Sequence, residues 1–214
     1  MISISPKDTA VVVTDPQNDA LSPGGAGYEL MKVCIEQNNT IVNLSMIMKA
    51  CKDYGYQLVI SPHALYPHDN TWMNQSEEEI LLLWGKFYQK VNNESPSSFG
   101  ADYEPSLKPY ICDGRTIIAN PHKIAGPQTN DLALQLRKHG ISKVILCGCM
   151  SNICVESHMR DLTENGFQIA IAHDATAAPG LEAYNAAMVN FKAFASASWS
   201  TTDTVIHMMN GAKV

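Results

Sequence analysis

Five short runs along the chain are apolar at almost every position rather than at every second one. They are AVVVTD (10–15), YQLVIS (56–61), RTIIAN (115–120), KVILCG (143–148) and FQIAIA (167–172). A strand with one wet face alternates apolar and polar residues, so near-continuous runs read as strands covered on both faces. A weaker candidate, SASWS, stands at 196–200. Between the runs lie longer stretches with helical spacing, at about 29–54, 76–90, 128–139, 152–165 and 180–195. In the third of these, Leu132, Ala133 and Leu136 share a face, basic residues fill the last turn, and Gly140 stands where the helix must stop. Strands alternating with helices over short connections predict a parallel sheet with helices on both sides, a three-layer α/β/α fold. Residues 62–114 break the rhythm: they are rich in Pro, Asn, Ser and Tyr and contain one helical stretch. They read as a loop-rich excursion over one end of the sheet, within a single domain spanning 1–214. Ligands of open α/β sheets bind beyond the strand carboxyl ends, so the excursion's aromatics, Trp72, Trp84 and Tyr88 among them, are expected to wall a pocket.

Composition narrows the function classes. Of 214 residues, 45% are hydrophobic and 17% charged, well under the roughly 25% charged content of ordinary soluble domains. Such a chain can fill a large core and still leave weakly charged surface for a partner subunit. A net charge of −6 argues against a nucleic-acid partner, which needs a basic footprint. The apolar runs are too short to span a bilayer, and the N-terminus lacks the basic and long apolar regions of a signal peptide, so neither membrane nor secretion is expected. Six cysteines in a core-rich chain of this length fit free thiols in a reducing cytoplasm better than a disulfide framework. The helix at 180–195 is apolar around much of its circumference and SASWS falls at a sheet edge, so a homodimer or homotetramer is expected.

Three groups stand at the carboxyl ends of predicted strands. Asp15 closes VVVTD, where a carboxylate serves either as a cap or in catalysis. Lys123 lies in IIANPHKIAGPQTND, as a solvated loop charge or as one held by its neighbours. Cys154 lies in VILCGCMSNICVESH, three residues after Ser151, a candidate helix cap. On a first helical turn the unpaired N–H groups and the helix dipole favour a thiolate and can receive an oxyanion. The alternative is a small buried hydrophobe, which suits Cys147 and Cys149 better because they belong to the strand and its exit. A zinc reading of C-x-C-x₄-C lacks a second half-site. Asp, Lys and Cys on neighbouring strand ends make chemical sense together. The carboxylate takes the thiol proton, the ammonium steadies both anions, and the helix start receives developing charge.

These motifs resemble the isochorismatase-like cysteine hydrolases, a family that includes nicotinamidases and other amidohydrolases, over nearly the whole chain. VVVTDPQND is similar to the family's first-strand motif, PHKIAGPQTNDLALQL to its lysine segment, and GCMSNICVESHMRDLTENGFQIAIAHDA to its nucleophile segment. The resemblance implies a six-stranded parallel sheet and a triad of Asp15, Lys123 and Cys154. It also implies a cis peptide at Cys149–Met150, with the Met150 and Cys154 N–H groups as oxyanion hole. Gln17, His63, Trp84 and His122 are the candidate pocket residues. Nicotinamidases carry an Asp-x-His…His metal site after the second strand, where this chain reads SPHALYPHD, with Ser61 in place of the Asp. A hydroxyl is a weak substitute for a carboxylate on a divalent cation. His63 and His68 are therefore expected to be pocket histidines without a metal, no cofactor is expected, and nicotinamide is demoted as substrate. The expected function is cleavage of a small amide or related C–N bond through a Cys154 acyl-enzyme. A vinyl ether hydrolase and a non-catalytic binding protein of the same fold are the alternatives.

Overall fold

The computed structural model describes residues 2–89 and 99–213, with only the backbone described at Glu78 and Trp84. Its centre is a six-stranded sheet: β1 (Thr9–Thr14), β2 (Gln57–Ser61), β3 (Ile117–Ile118), β4 (Lys143–Cys149), β5 (Gln168–Ala177) and β6 (Ala197–Trp199). The order across the sheet is β3-β2-β1-β4-β5-β6, and every pairing is parallel.

The continuous apolar runs are explained by two covered faces. Val11, Val13, Leu58, Ile60, Ile145 and Cys147 point into one core, with Met31 and Cys34 of α2 (Tyr28–Asn38), Ile47 and Met48 of α3 (Thr40–Asp53) and Met208 of α9 (Thr201–Gly211). The intervening Ala10, Val12, Val59, Val144 and Leu146 point into the other. There they meet Leu132 and Leu136 of α6 (Leu132–Lys138), Met159 and Leu162 of α7 (Glu156–Glu164), and Ala187 and Phe191 of α8 (Gly180–Phe194). The remaining helices, α1 (Asn18–Leu21), α4 (Glu77–Trp84) and α5 (Lys108–Ile111), belong to the strand-end side and the excursion. Among the described residues no helix is long and apolar enough to cross a membrane, and all six cysteines are free.

Four elements depart from the sequence expectation. The stretch at 29–54 is two helices, broken at Asn39, whose φ of 52° is left-handed; Asn enters that region more readily than most residues. The third strand is only two residues long. The strand expected at 167–172 runs on to Ala177 through an irregularity opposite β4, which pairs Leu146 with Ile171 but Gly148 with Thr176. Helix α9 was not anticipated; Ser200 caps it, accepting the Asp203 N–H at 3.1 Å. Asp174, within the irregular part of β5, also holds that helix start, accepting from the Thr201 N–H and hydroxyl at 2.7 Å each.

The carboxyl ends of β1 and β4 are pressed together. The Thr14 hydroxyl donates to the Cys149 carbonyl at 3.0 Å, and Gly148 has φ 114°, where a Cβ would stand 2.1 Å from the Thr14 carbonyl oxygen. Replacing Gly148 by Ala is therefore expected to cost about 2 kcal/mol or more. Gly140→Ala, at φ 73° with open space around it, is expected to cost about 1 kcal/mol. Denaturant unfolding of both variants checks this, and equal losses would contradict the close approach.

Candidate active site

At the end of β1 the chain turns sharply at Asp15, whose φ is 49°, a conformation uncommon outside glycine but tolerated best by Asn and Asp. The Asp15 N–H donates to the Ser61 carbonyl at 3.1 Å, and its carboxylate is 1% exposed. The next residues fasten the excursion onto this turn. The Gln17 carboxamide donates to the carbonyls of His63 and Ala101 at 2.9 and 2.8 Å and accepts the His63 N–H at 2.8 Å. Asn18 donates to the Phe99 carbonyl, and the Asp19 carboxylate accepts from the N–H groups of Ala26 and Tyr88. Gln17, expected in the pocket, is thus occupied on both ends of its amide by the backbone of the excursion.

Beyond β3 the chain stays extended along the segment after β2: His122 donates its N–H to Pro62 and accepts from Ala64, which sets it beside His63 in a parallel bridge. Successive side chains of an extended segment point opposite ways. His122 points inward, and its Nε2 donates to Asp15 Oδ1 at 2.9 Å. Lys123 points the other way: its ammonium lies 2.6 Å from Asp69 Oδ2 and 4.1 Å over the Tyr66 ring. The expected contact of Lys123 with Asp15 is therefore replaced by one from His122. The buried Asp69 carboxylate gives the lysine its partner and ties the short helical turn Pro67–Thr71 to the loop that carries His122.

After β4 comes a cis peptide at Cys149–Met150 and then a wide first turn, Ser151–Val155, in which the Ile153 and Val155 N–H groups both donate to the Met150 carbonyl. Ser151, expected as a cap, instead donates its hydroxyl to Thr176 of β5 at 2.8 Å. Cys154 follows on this turn, 3% exposed, and its thiol hydrogen-bonds the Asp15 carboxylate. One ligand atom each from Asp15, His122 and Cys154 falls within 4.8 Å of the others. Cys147 and Cys149 are fully buried, and burial pushes both thiols up, away from ionisation.

A third imidazole bonds the backbone of the Cys154 turn. His158 lies one turn on; its Nδ1–H donates to the Cys154 carbonyl at 2.7 Å. Its Nε2 then accepts from the Ser61 hydroxyl at 2.8 Å, which itself accepts from Asn130 at 2.9 Å. The i+4 spacing from Cys154 is the sequence signal for this contact: it puts His158 within reach of the site as well as in a place to cap or pack. His63 stacks on Tyr88 with ring centroids 4.7 Å apart, meets His122 edge-on, and its Nε2–H donates to the Ile124 carbonyl at 3.2 Å. The Trp84 side chain lies outside the described residues.

Burial dominates the electrostatics. It pushes the Asp15 carboxyl up to about 6, against the opposing pull of His63, His158 and the Cys154 hydrogen bond. It pushes His63, His122 and His158 down to about 3. At neutral pH the centre is therefore an ionised carboxylate among uncharged imidazoles.

The residues present do not fit the Asp-x-His…His metal set. Ser61's hydroxyl is bonded to His158, and His63 is buried whereas the His68 side chain is 76% exposed beside Asp69.

Comparison with known proteins places this chain in a family. Residues 9–203 match the isochorismatase domain model. The chain is 26% identical over 207 residues to the ureidoacrylate amidohydrolase RutB of Caulobacter segnis, covering 90% of this chain and 82% of that one. A 55-residue stretch, 26% of this chain and 29% of the relative, is 49% identical to the uncharacterized isochorismatase family protein YecD of Escherichia coli O157:H7. A cysteine hydrolase from Pseudomonas syringae shares the fold, with a TM-score of 0.75 at 18% identity over 99% of this chain and 97% of that one. With the domain model spanning all six strands, the chain belongs to the isochorismatase family and is a hydrolase of that family.

Proposed function

We propose that this hydrolase cleaves a small amide or related C–N bond through a Cys154 acyl-enzyme, with Asp15 as proton carrier and His122 in the place expected for Lys123. The observation that carries the reading is the buried meeting of Asp15, His122 and Cys154 at the strand carboxyl ends. The similarity to an amidohydrolase over most of the chain supports an amide over an ether.

In this mechanism the thiol proton passes to the Asp15 carboxylate, and the sulfur attacks the carbonyl carbon. The carbonyl oxygen takes up negative charge facing the Met150 and Cys154 N–H groups. Asp15 returns the proton to the leaving amine as the C–N bond breaks. It then takes a proton from water, whose oxygen attacks the thioester; the C–S bond breaks to release the acid, and Asp15 returns that proton to the departing sulfur. His122, neutral, donates to Asp15 Oδ1 throughout and orients the carboxylate toward the sulfur. A neutral donor leaves Asp15 more basic than an ammonium would, which suits a group that must accept a proton. Lys123 is a positioning residue, holding the His122 loop through Asp69. Tyr88 and His63 give the site a flat apolar wall, which suits a small uncharged substrate.

Intact-mass detection of an acylated enzyme against a panel of small amides tests the reading. Cys154→Ala and Asp15→Asn are each expected to lower turnover by on the order of 10³ or more, with the double variant little worse than either. Near wild-type hydrolysis by Cys154→Ala would remove the covalent route in favour of ether cleavage. His122→Ala is expected to lose roughly 10²-fold in kcat, against less than about tenfold for Lys123→Met, since only His122 touches Asp15; the reverse order would restore the lysine to the triad. Because Asp15 must be ionised to accept the thiol proton, and its pKa is raised to about 6, kcat/KM is expected to fall about tenfold per pH unit below that value. A profile flat to pH values well below 5 would exclude Asp15 as the base.

A further inference from the structure

Replacing an ammonium by an imidazole at the centre changes more than proton affinity. A lysine beside Asp15 and Cys154 would repel any cation approaching the carboxylate and the thiol. Here the Lys123 ammonium is paired with Asp69, and Asp15 has a neutral ring beside it. A carboxylate oxygen, an imidazole nitrogen and a thiol sulfur within 4.8 Å of one another form a mixed O/N/S donor set. Tetrahedral zinc takes such ligands at about 2.0–2.3 Å, keeping three protein groups and one open position in its reactive sites. Asp15 and His122 already meet at 2.9 Å, so closing the set falls mainly to the Cys154 sulfur, which has to move in from a spread of up to 4.8 Å. The second ring nitrogen is also suited to it. His122 Nδ1 is buried and makes no hydrogen bond among the described residues, so the ring proton can move there when Nε2 turns its lone pair to a metal.

We propose that Asp15, His122 and Cys154 form a binding site for a soft divalent cation, with zinc as the best fit, and that its occupation switches hydrolysis off reversibly. Binding exchanges the thiol S–H bond for a sulfur–zinc bond and releases that one proton to solvent; His122 only moves its proton from Nε2 to Nδ1. A sulfur held by zinc cannot attack a carbonyl, and the carboxylate that should carry the proton is held with it. Thiolate and imidazole ligands select against magnesium and calcium, which prefer all-oxygen sets. The switching part rests on the acyl-enzyme reading above; the binding part does not.

The experiment titrates the metal-free full-length protein with zinc chloride by calorimetry in two buffers of different ionisation enthalpy, and separately with cobalt(II) chloride by absorption. One equivalent bound with micromolar or tighter affinity, one proton released and a thiolate-to-cobalt charge-transfer band are expected, with no response to millimolar magnesium. Cys154→Ser and His122→Lys are each expected to weaken zinc at least 100-fold; the lysine variant restores a cation beside Asp15. Absence of the cobalt band in the unmodified protein would overturn the site without reliance on any variant. Unchanged zinc affinity in both variants would do the same by placing the metal elsewhere, for instance at the exposed Cys112. Activity lost on zinc addition and regained with chelator is expected. Hydrolysis persisting at saturating zinc, with the band present, would overturn the switch and the Cys154 nucleophile while leaving the metal site standing.

Discussion

A carboxylate buried at the end of a parallel strand is the constraint around which the rest of this site is organised. Asp15 is 1% exposed, and removing an ionised carboxylate from water costs several kcal/mol unless other groups solvate it. The solvating groups are a ring N–H from His122 and the thiol of Cys154. Neither carries a full charge, so the compensation is partial and the carboxyl is pushed up to about 6. A group tuned there can both take and return a proton near neutral pH, which a carboxylate clamped by an ammonium does less readily. The same burial keeps the three surrounding imidazoles uncharged.

Holding such a group in place requires the surroundings to fix it from several directions. The left-handed turn at Asp15 is followed at once by Gln17, Asn18 and Asp19, whose side chains bind the backbone of the excursion and of Ala26 rather than one another. Across the sheet, Gly148 lets β4 approach Thr14 closely enough for its hydroxyl to reach the Cys149 carbonyl. A relay from Asn130 through Ser61 to His158 ends on the Cys154 carbonyl, linking the Cys154 turn to β2. Most of these contacts end on backbone, so the site's geometry is largely a property of the strand ends.

Much of this was legible in the sequence where a single physical signal dominated. Strands buried on both faces read as unbroken apolar runs, so AVVVTD, YQLVIS and KVILCG located the central sheet. The strand-end positions of Asp15 and Cys154 followed from where those runs stop. What stayed open in the sequence depended on information a residue list does not carry. Lys123 and His122 are neighbours, and which one faces Asp15 is decided by the parity of an extended segment whose register is set by pairing with Pro62 and Ala64. The break at Asn39 lay inside a stretch whose apolar spacing continues on both sides. Ser61 stands where a metal-ligating Asp would be, and that its hydroxyl meets His158 depends on the packing of β2 against the Cys154 turn.

The central claim is that a neutral imidazole, with its proton on Nε2, is the partner of the buried Asp15. Nitrogen NMR of the protein labelled at its histidine rings reads both properties directly, with His122→Gln supplying the assignment. The account predicts a ring that stays uncharged from about pH 5 to 8, with Nε2 protonated and Nδ1 bare. A His122 ring that gains charge near its ordinary value of about 6.5, or that carries its proton on Nδ1 at neutral pH, would contradict it.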